Sequence, residues 1–527
     1  VVDNGEKKRL MGISSLFPEP DTTGPNKGTA VTWRWFFPVL ILAFGLRILV
    51  AQWADIPLHP DETFQYLEQA HRLVYDYGVI PWEYVFGIRS WFIPLCLAGI
   101  LWMGQGLGLD EPWLYIPFVK VVLCLISLTL PVGMYRLTQV VWNERAAILA
   151  FLLGCFWHHF VYTAHKPMPG VLAAYGLVWL ILWMVQPRSR ARLFGFGFLM
   201  GLIFMLRYQL VPVLGLLWLV SLYRLRKAAG PILLGNVVAL CLAGVLDQIF
   251  WGGFLSSYID NFRLNFSYDV ASTFGRTELL FYVKKMGVDT GGLVLVGMVG
   301  MILLWPRLWP VIGALIVGVL AFHIPAHKEF RFVLWVMPFV LIAVAVAGAA
   351  FYDRGRVVGR FAPALLCIWA GAVSLAYLSL YSGIFPGKPY KLREHSIREL
   401  TQALSRIETV TGVEYNALSL AWHTTPGYYA LGHPVPLYFA DWPALSPQKR
   451  AAIRIDHISH IVTEGNDAAP SGYDRIGGYG LYTLWASGSS RQNPGLTGFD
   501  LRTNYPESIP DDFITIGPRT PWRVEGW

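Results

Sequence analysis

From about residue 34 to residue 384, apolar blocks alternate with short polar turns. A helix that crosses a bilayer needs about 20 mostly apolar residues. Blocks near 34–53, 113–138, 146–164, 168–186, 193–208, 209–223, 230–250, 290–305, 308–324, 332–350 and 361–384 reach or approach that length. They predict about eleven spans, the short pair at 193–223 forming a hairpin. A further apolar block, 91–104, would, if it crossed, place Arg136, Arg145, Arg188, Arg190, Arg192, Arg224, Arg226, Lys227, Arg354, Arg356 and Arg360 outside. Left out of the count, all of these fall inside with Lys7, Lys8 and Arg9, as cations flanking spans do. The block, broken by Gly99, Gly104, Gly106 and Gly108, is therefore expected to be interfacial or re-entrant.

This topology predicts a cytoplasmic segment 1–33, a helical membrane domain 34–387, and an extracytoplasmic C-terminal domain 388–527. Outer loops 55–112 and 251–289 and an outer turn at 325–331 belong to the membrane domain. Arg263, Arg276, Lys284 and Lys285 lie outside against the charge rule, offset by Asp260, Asp269, Glu278 and Asp289. In the last part, Lys391 to Ile407 carries Leu392, Ile397, Leu400, Leu404 and Ile407 on one helical face. Ile476 to Ala486 has strand character. A small α/β domain is expected there. The polar first 33 residues show no cleavable leader, and no repeat or low-complexity tract stands out.

Composition narrows the class. Of 527 residues, 55% are hydrophobic and 14% charged, where a soluble domain carries about a quarter charged. The mean hydropathy of +0.46 agrees. The net charge of +8 falls mostly in short loops, which fixes orientation and does not call for nucleic acid as a partner. Cys96, Cys124, Cys155, Cys241 and Cys367 lie in apolar stretches without a Cys-x-x-Cys pair, which argues against a disulfide framework or a zinc site.

Three polar constellations carry candidate chemistry. His59-Pro60-Asp61-Glu62 follows the first span; Pro60 suits a first helical turn and the carboxylates suit its positive end. Asp61, Gln65, Glu68 and Arg72 then line one face and Phe64, Leu67, His71 and Val74 another, as on a helix at the membrane surface. The same spacing fits a solvated polar face, but adjacent like charges at a span end are costly. Second, His327-Lys328-Glu329-Phe330-Arg331-Phe332 occupies a tight turn between spans. Its cations fit either a snorkelling anchor or a phosphate clamp, with Lys as point charge and Arg as fork. Third, Arg207 and Asp247 sit at the outer ends of two spans, as functional groups or as a structural pair. No Asp-x-Asp, Walker loop or zinc-spaced His/Glu cluster occurs, which disfavours metal-dependent nucleotide-sugar enzymes and ATP-driven pumps.

Together these motifs resemble glycosyltransferase family 22, the GT-C mannosyltransferases that use a polyprenyl-phosphate sugar, and within it the branch that adds mannose to the GPI core. The match runs through HPDE, Gln65, Leu67-Glu68, His71, Tyr77-Gly78, Trp82-Glu83, Gly87 and Arg89-Ser90. It continues in the HKEFRF turn and in Trp422 to Tyr429 (WHTTPGYY) with His433-Pro434; Asp247, Phe250, Asn265 and Tyr282 fit more loosely. It covers roughly residues 35 to 440. One stretch departs: His158 to Gly170 (HHFVYTAHKPMPG) stands where the family has an Arg-Thr-x-x-Asn element, so His165 and Lys166 bear on the acceptor.

The resemblance implies a GT-C fold with about eleven transmembrane helices and an inverting transfer of mannose to a glycolipid or lipid-linked glycan, giving an α-mannoside. Asp61 would be the base, with Glu62 as runner-up or acceptor-orienting group. Lys328 and Arg331, backed by Arg207 and His327, would bind the donor phosphate. His59, Gln65, Glu68, Arg89, His423, Tyr429 and Asp247 would line the sugar or acceptor pocket. A lipid phosphate leaves with less charge than a nucleoside diphosphate, so no metal or other cofactor is expected. Partners would be the polyprenyl-phosphate mannose, the acceptor and membrane lipids. Another lipid-linked sugar, or a protein that binds or flips such lipids without transfer, would use the same cations. The expected place is a bacterial inner membrane facing the periplasm, or alternatively the endoplasmic reticulum facing its lumen.

Overall fold

In lipid a backbone satisfies its own polar groups only as helix or closed barrel, and the apolar blocks fold as helices. The computed structural model describes residues 29–53, 59–186, 189–224, 229–355, 357–382, 389–417, 420, 424–439, 447–465, 470–489 and 491. His423, Arg188, Arg226, Lys227, Arg356, the N-terminal segment through residue 28 and all residues past 491 lie outside that set. Among the described residues six helical runs are long and apolar enough to cross a membrane: Arg34–Trp53, Pro112–Val141, Ala229–Trp251, Leu293–Ala321, Phe330–Asp353 and Gly359–Leu380. Phe92–Gly106, Pro169–Val185 and Tyr208–Arg224 are shorter apolar helices. The 15 residues of Phe92–Gly106 rise about 22 Å, short of the roughly 30 Å hydrocarbon core.

The chain divides into two compact units. The first comprises Val1–Gln52, Leu123–Val245 and Phe262–Leu378. Its helices pack through small residues, as membrane helices do: a Cβ on Gly300 would lie 1.8 Å from the Ala343 carbonyl oxygen. The block 146–164 is interrupted. Helix Glu144–Phe156 stops at extended Trp157 (φ −68°, ψ 129°), and His158–Tyr162 restarts as a short helix. The hairpin expected at 193–223 forms with Arg207 at its corner, in non-helical backbone (φ −152°, ψ 85°) between Arg190–Leu206 and the turn Tyr208–Leu210.

The run Leu293–Ala321 breaks at Leu308 (φ −129°, ψ 20°), between Pro306 and Pro310. Beside the break Arg307 lies over the Trp142 ring at 4.6 Å. Trp142 adjoins Asn143, whose amide bonds Asp353 at 3.1 Å. The far end of the run returns to the opposite side, where His323 meets Tyr282 edge-on at 5.0 Å. Two arms back to back, not one long rod, account for these contacts, in keeping with separate apolar blocks at 290–305 and 308–324.

The second unit comprises Trp53–Val122, Leu246–Asn261 and Ser379–Trp527. Its five-stranded sheet contains β1 (Val413–Asn416), β2 (Leu437–Phe439), β3 (His460–Glu464), β4 (Tyr473–Tyr479) and β5 (Tyr482–Ser487) in the order β2-β1-β3-β5-β4. β1 runs parallel to β2 and β3, and β5 is antiparallel to β3 and β4. The helix expected at 391–407 is present as Pro389–Leu404. The strand expected over 476–486 is instead a hairpin: Gly480 takes φ +57°, a left-handed turn between β4 and β5 that glycine adopts without strain. Ile397, Leu400 and Leu404 pack on Val413, Val462 and Leu484, and Phe64 and Val79 from the loop after the first span join this core.

Candidate active site

In the second unit the Asp61–Glu62 pair opens a π-helical turn, Glu62–Leu67, that continues as α-helix Glu68–Tyr75. Such π turns recur at functional sites. The polar side of this helix is not solvated: Glu62, Gln65, Glu68 and Gln69 are all buried. Asp61 is the more open acid, its side chain 20% exposed, with His59 Nδ1 3.0 Å from Oδ1. The Asp61 backbone N–H also points at Nδ1, at 3.2 Å. Gln65 donates to Glu83 Oε1 at 2.6 Å, and Arg89 Nη2 stands 3.9 Å from the same oxygen. Burial pushes the Glu83 carboxyl up to about 7; Arg89 opposes that shift and the Asp61 charge adds to it. Glu83 is thus a second acid within the field of Asp61. It belongs to the Trp82-Glu83 match, but no periodicity marks it.

Glu68 has a different setting. Its Oε1 accepts the backbone N–H groups of Val79 at 2.7 Å and Tyr428 at 3.1 Å, and its Oε2 that of Tyr429 at 2.9 Å. Burial raises this carboxyl to about 7 against those three bonds and Arg72. Gly427 makes the approach feasible: at φ +69°, a Cβ there would sit 2.6 Å from Glu68 Oε2. Tyr429 packs beside Tyr115, whose hydroxyl donates to its carbonyl at 2.6 Å. His71 is held neutral by burial, down to about 3, with Nδ1 3.0 Å from the Tyr77 carbonyl. Asp247 accepts the Ser257 N–H and hydroxyl at 2.8 and 2.9 Å. Trp251, Tyr258 and Asn261 clamp the segment 88–90 through Arg89 O, Ser90 Oγ and Ile88 O.

The first unit holds the cation turn. Glu329 bridges two of its members: His327 Nε2 is 2.9 Å from Oε1, and Arg331 binds through Nε at 2.6 Å and Nη2 at 3.0 Å. Lys328 is buried, with Nζ 3.5 Å from the Thr277 carbonyl. Arg207 lies over Phe322 and Phe332, at 5.4 and 5.2 Å. Tyr282, buried beside His323, senses the charges of both Arg207 and Glu329. The atypical segment 158–170 runs along this turn: a Cβ on Gly170 would meet the Arg331 carbonyl at 3.2 Å and Arg207 Nη1 at 3.5 Å. Lys166 is buried, with Nζ 5.0 Å from the Tyr162 ring centre. Glu329, Tyr282 and the residues around Asp289 were not among the expected site residues. Among the described residues no three of His, Cys, Asp and Glu gather as metal ligands.

A many-helix membrane unit and a sheet-bearing unit with a polar loop helix give the chain a GT-C fold. The fold matches ArnT from Cupriavidus metallidurans bound to undecaprenyl phosphate at a TM-score of 0.56 and 14% identity, over 89% of this chain and 100% of that one. The model of the Alg9-like mannosyltransferase family matches residues 38–431, and the chain belongs to that family. GPI alpha-1,2-mannosyltransferase 3 of Homo sapiens is 24% identical over 77% of this chain and 72% of its own length. GPI mannosyltransferase 3 of Yarrowia lipolytica is 26% identical, with 76% of each chain covered. The protein is a multi-pass membrane protein of the Alg9-like mannosyltransferase family.

Proposed function

We propose that the protein transfers mannose from a polyprenyl-phosphate mannose to a hydroxyl of a glycolipid or lipid-linked glycan, with inversion. The observation that carries this is Asp61: a partly open carboxylate held by His59 in the field of the buried Glu83. The acceptor oxygen attacks C1 of the sugar, the bond from C1 to the phosphate oxygen breaks, and the hydroxyl proton passes to Asp61. Glu62 orients the acceptor. Lys328 and Arg331, with Arg207 and His327 behind them, take the charge of the departing lipid phosphate, so the reaction runs without a metal.

His59, Gln65 and Arg89 shape the acceptor side, and Tyr429 and Glu68 support it. The facing compartment is the periplasm of a bacterial inner membrane or, in the alternative, the lumen of the endoplasmic reticulum. Purified protein given a radiolabelled polyprenyl-phosphate mannose and a membrane glycolipid extract tests the assignment. Asp61→Asn should lower transfer by roughly 10²–10⁴, and strong chelator should change nothing. Full activity in Asp61→Asn removes the base assignment, and a strict metal requirement removes the metal-free one. Movement of the lipid-linked sugar across a bilayer with no glycosidic product would replace transfer by flipping.

A further inference from the structure

The proposed reaction leaves one dense cluster of buried polar groups unused, the one around Asp289. This residue ends helix Phe281–Asp289, of which only Tyr282 and Asp289 are buried. The opposite face presents Leu280, Val283 and Val288 at 54%, 60% and 65% exposure. Apolar packing on the protein therefore holds little of this helix. Asp289 does so instead: Oδ1 meets Lys285 Nζ at 2.8 Å and accepts the Tyr377 hydroxyl at 2.9 Å. His159 Nε2 stands 3.6 Å from Oδ2. Trp157 Nε1 donates to His159 Nδ1 at 3.1 Å, so Nε2 carries the ring proton and directs it at Asp289. His158 stacks on Tyr377 at 4.4 Å, and its Nε2 reaches the Asp289 carbonyl at 3.1 Å.

Two of these groups also touch the cation turn. The Phe330 ring lies 5.4 Å from that of His159 and 5.8 Å from Lys285 Nζ, and Phe330 stands between Glu329 and Arg331. At the other end of the segment, Thr277 donates its N–H and hydroxyl to the Ala326 carbonyl at 3.0 and 3.2 Å, and Lys328 points at the Thr277 carbonyl. The stretch 277–289 therefore braces the turn 326–331 at both ends.

We propose that Asp289 is a positioning residue for the donor phosphate. It pins helix Phe281–Asp289 to His159, Lys285 and Tyr377, and so fixes Phe330 and the neighbouring Arg331 and Lys328 in the geometry that receives an anionic lipid phosphate. Pre-organised cations bind more tightly because no ordering cost falls at the moment of binding. Removing the carboxylate charge leaves Lys285 without its buried partner, and the brace relaxes. The inference rests on the assignment of Lys328 and Arg331 to the phosphate.

Binding of undecaprenyl phosphate to the detergent-purified full chain, measured by native mass spectrometry with melting temperatures alongside, tests it without knowledge of the acceptor. Lys328→Ala should weaken binding by more than about tenfold, Asp289→Asn by about tenfold and Tyr377→Phe by roughly threefold. The Asp289→Asn/Lys328→Ala pair should bind more tightly than the product of the two single losses predicts, because both act through one turn, and fully additive losses would count against the coupling. If Lys328→Ala weakens binding while folded Asp289→Asn binds like wild type, this inference falls and the phosphate assignment stands. If Lys328→Ala binds like wild type, the phosphate assignment falls and takes this inference with it. Should Asp289→Asn fail to fold, Tyr377→Phe decides: wild-type affinity there overturns the proposal.

Discussion

Glu68 offers a quantitative test of how the second unit is held together. Replacing it by alanine strands three buried backbone donors, those of Val79, Tyr428 and Tyr429. Each unsatisfied donor costs about 1–3 kcal/mol. Against this stands the burden of a buried charge: with its carboxyl raised from 4.5 to about 7, keeping Glu68 ionised in the folded state costs about 3 kcal/mol. Alanine should therefore destabilise by several kcal/mol at pH 5, where Glu68 is mostly protonated when folded, and by less at pH 8. Glutamine behaves differently. With its oxygen at the Oε1 position it keeps the bonds to Val79 and Tyr428 and strands one donor, a cost of about 1–3 kcal/mol that the lost charge offsets above pH 7.

The wild-type pH dependence has a definite sign. Between 4.5 and about 7 the folded state binds more protons at Glu68 than the unfolded state. The contribution of Glu68 is thus fully present below 4.5 and lost as the pH rises through about 7, whereas the glutamine variant lacks this slope. Thermal unfolding followed by tryptophan fluorescence from pH 5 to 8, together with hydrogen exchange of the Tyr428 and Tyr429 amides, measures both effects. A wild-type melting temperature and unchanged amide protection in Glu68→Ala would refute the clasp. Identical pH slopes in wild type and Glu68→Gln would refute the raised carboxyl.

Gly427→Ala should act on the same clasp. Its left-handed backbone costs about 1–2 kcal/mol with a side chain, and the new Cβ displaces the Glu68 carboxylate, so the melting temperature should drop while Gly252→Ala, with no atom within 4 Å of its Cβ, shows the cost of the backbone angle alone. Arg47→Met should lower the melting temperature more than Arg47→Lys does. Loss of the guanidinium strands the carbonyls of Gly154 and Cys155 at the end of helix Glu144–Phe156, about 2–6 kcal/mol in total, and takes a donor from Ala43 and Ser127, whereas an ammonium recovers only part of a forked set. Equal stability of the two variants would sink that account.

What the sequence makes legible follows from where the physics is local. The bilayer forces long apolar runs into helices, so the blocks can be read one at a time; Pro306 and Pro310 even bracket the break at Leu308 that separates two of them. The helix Pro389–Leu404 was readable because its buried Ile397, Leu400 and Leu404 keep a helical spacing. The hairpin at Gly480 was not, since Ile476 to Ala486 alternates without a strong breaker other than glycine. The acids also divide along this line. Asp61 stands in a local motif, but the role of Glu68 depends on Tyr428 and Tyr429, some 360 residues later. No spacing rule reaches that far. Asp289 likewise gathers its partners from three separate stretches of the chain.

Arg47 and Arg207, both within apolar stretches, differ in their three-dimensional surroundings. An arginine in a span points to function by default, and Arg207, flanked by polar Tyr208 and Gln209, drew attention on that rule while Arg47, inside a uniformly apolar block, did not. Their surroundings separate them. Helix Glu144–Phe156 ends beside the first span, and its last carbonyls have no partner further along the helix. The Arg47 guanidinium takes the carbonyls of Gly154 and Cys155 at 3.1 and 2.8 Å and the Ser127 hydroxyl at 3.0 Å, fully buried. Its charge faces the negative end of that helix. Arg207 instead sits at a break in the backbone, between aromatic rings, at the edge of the Glu329 cluster. One is spent on closing a helix end. The other has aromatic rings for neighbours, and only the partners distinguish the two.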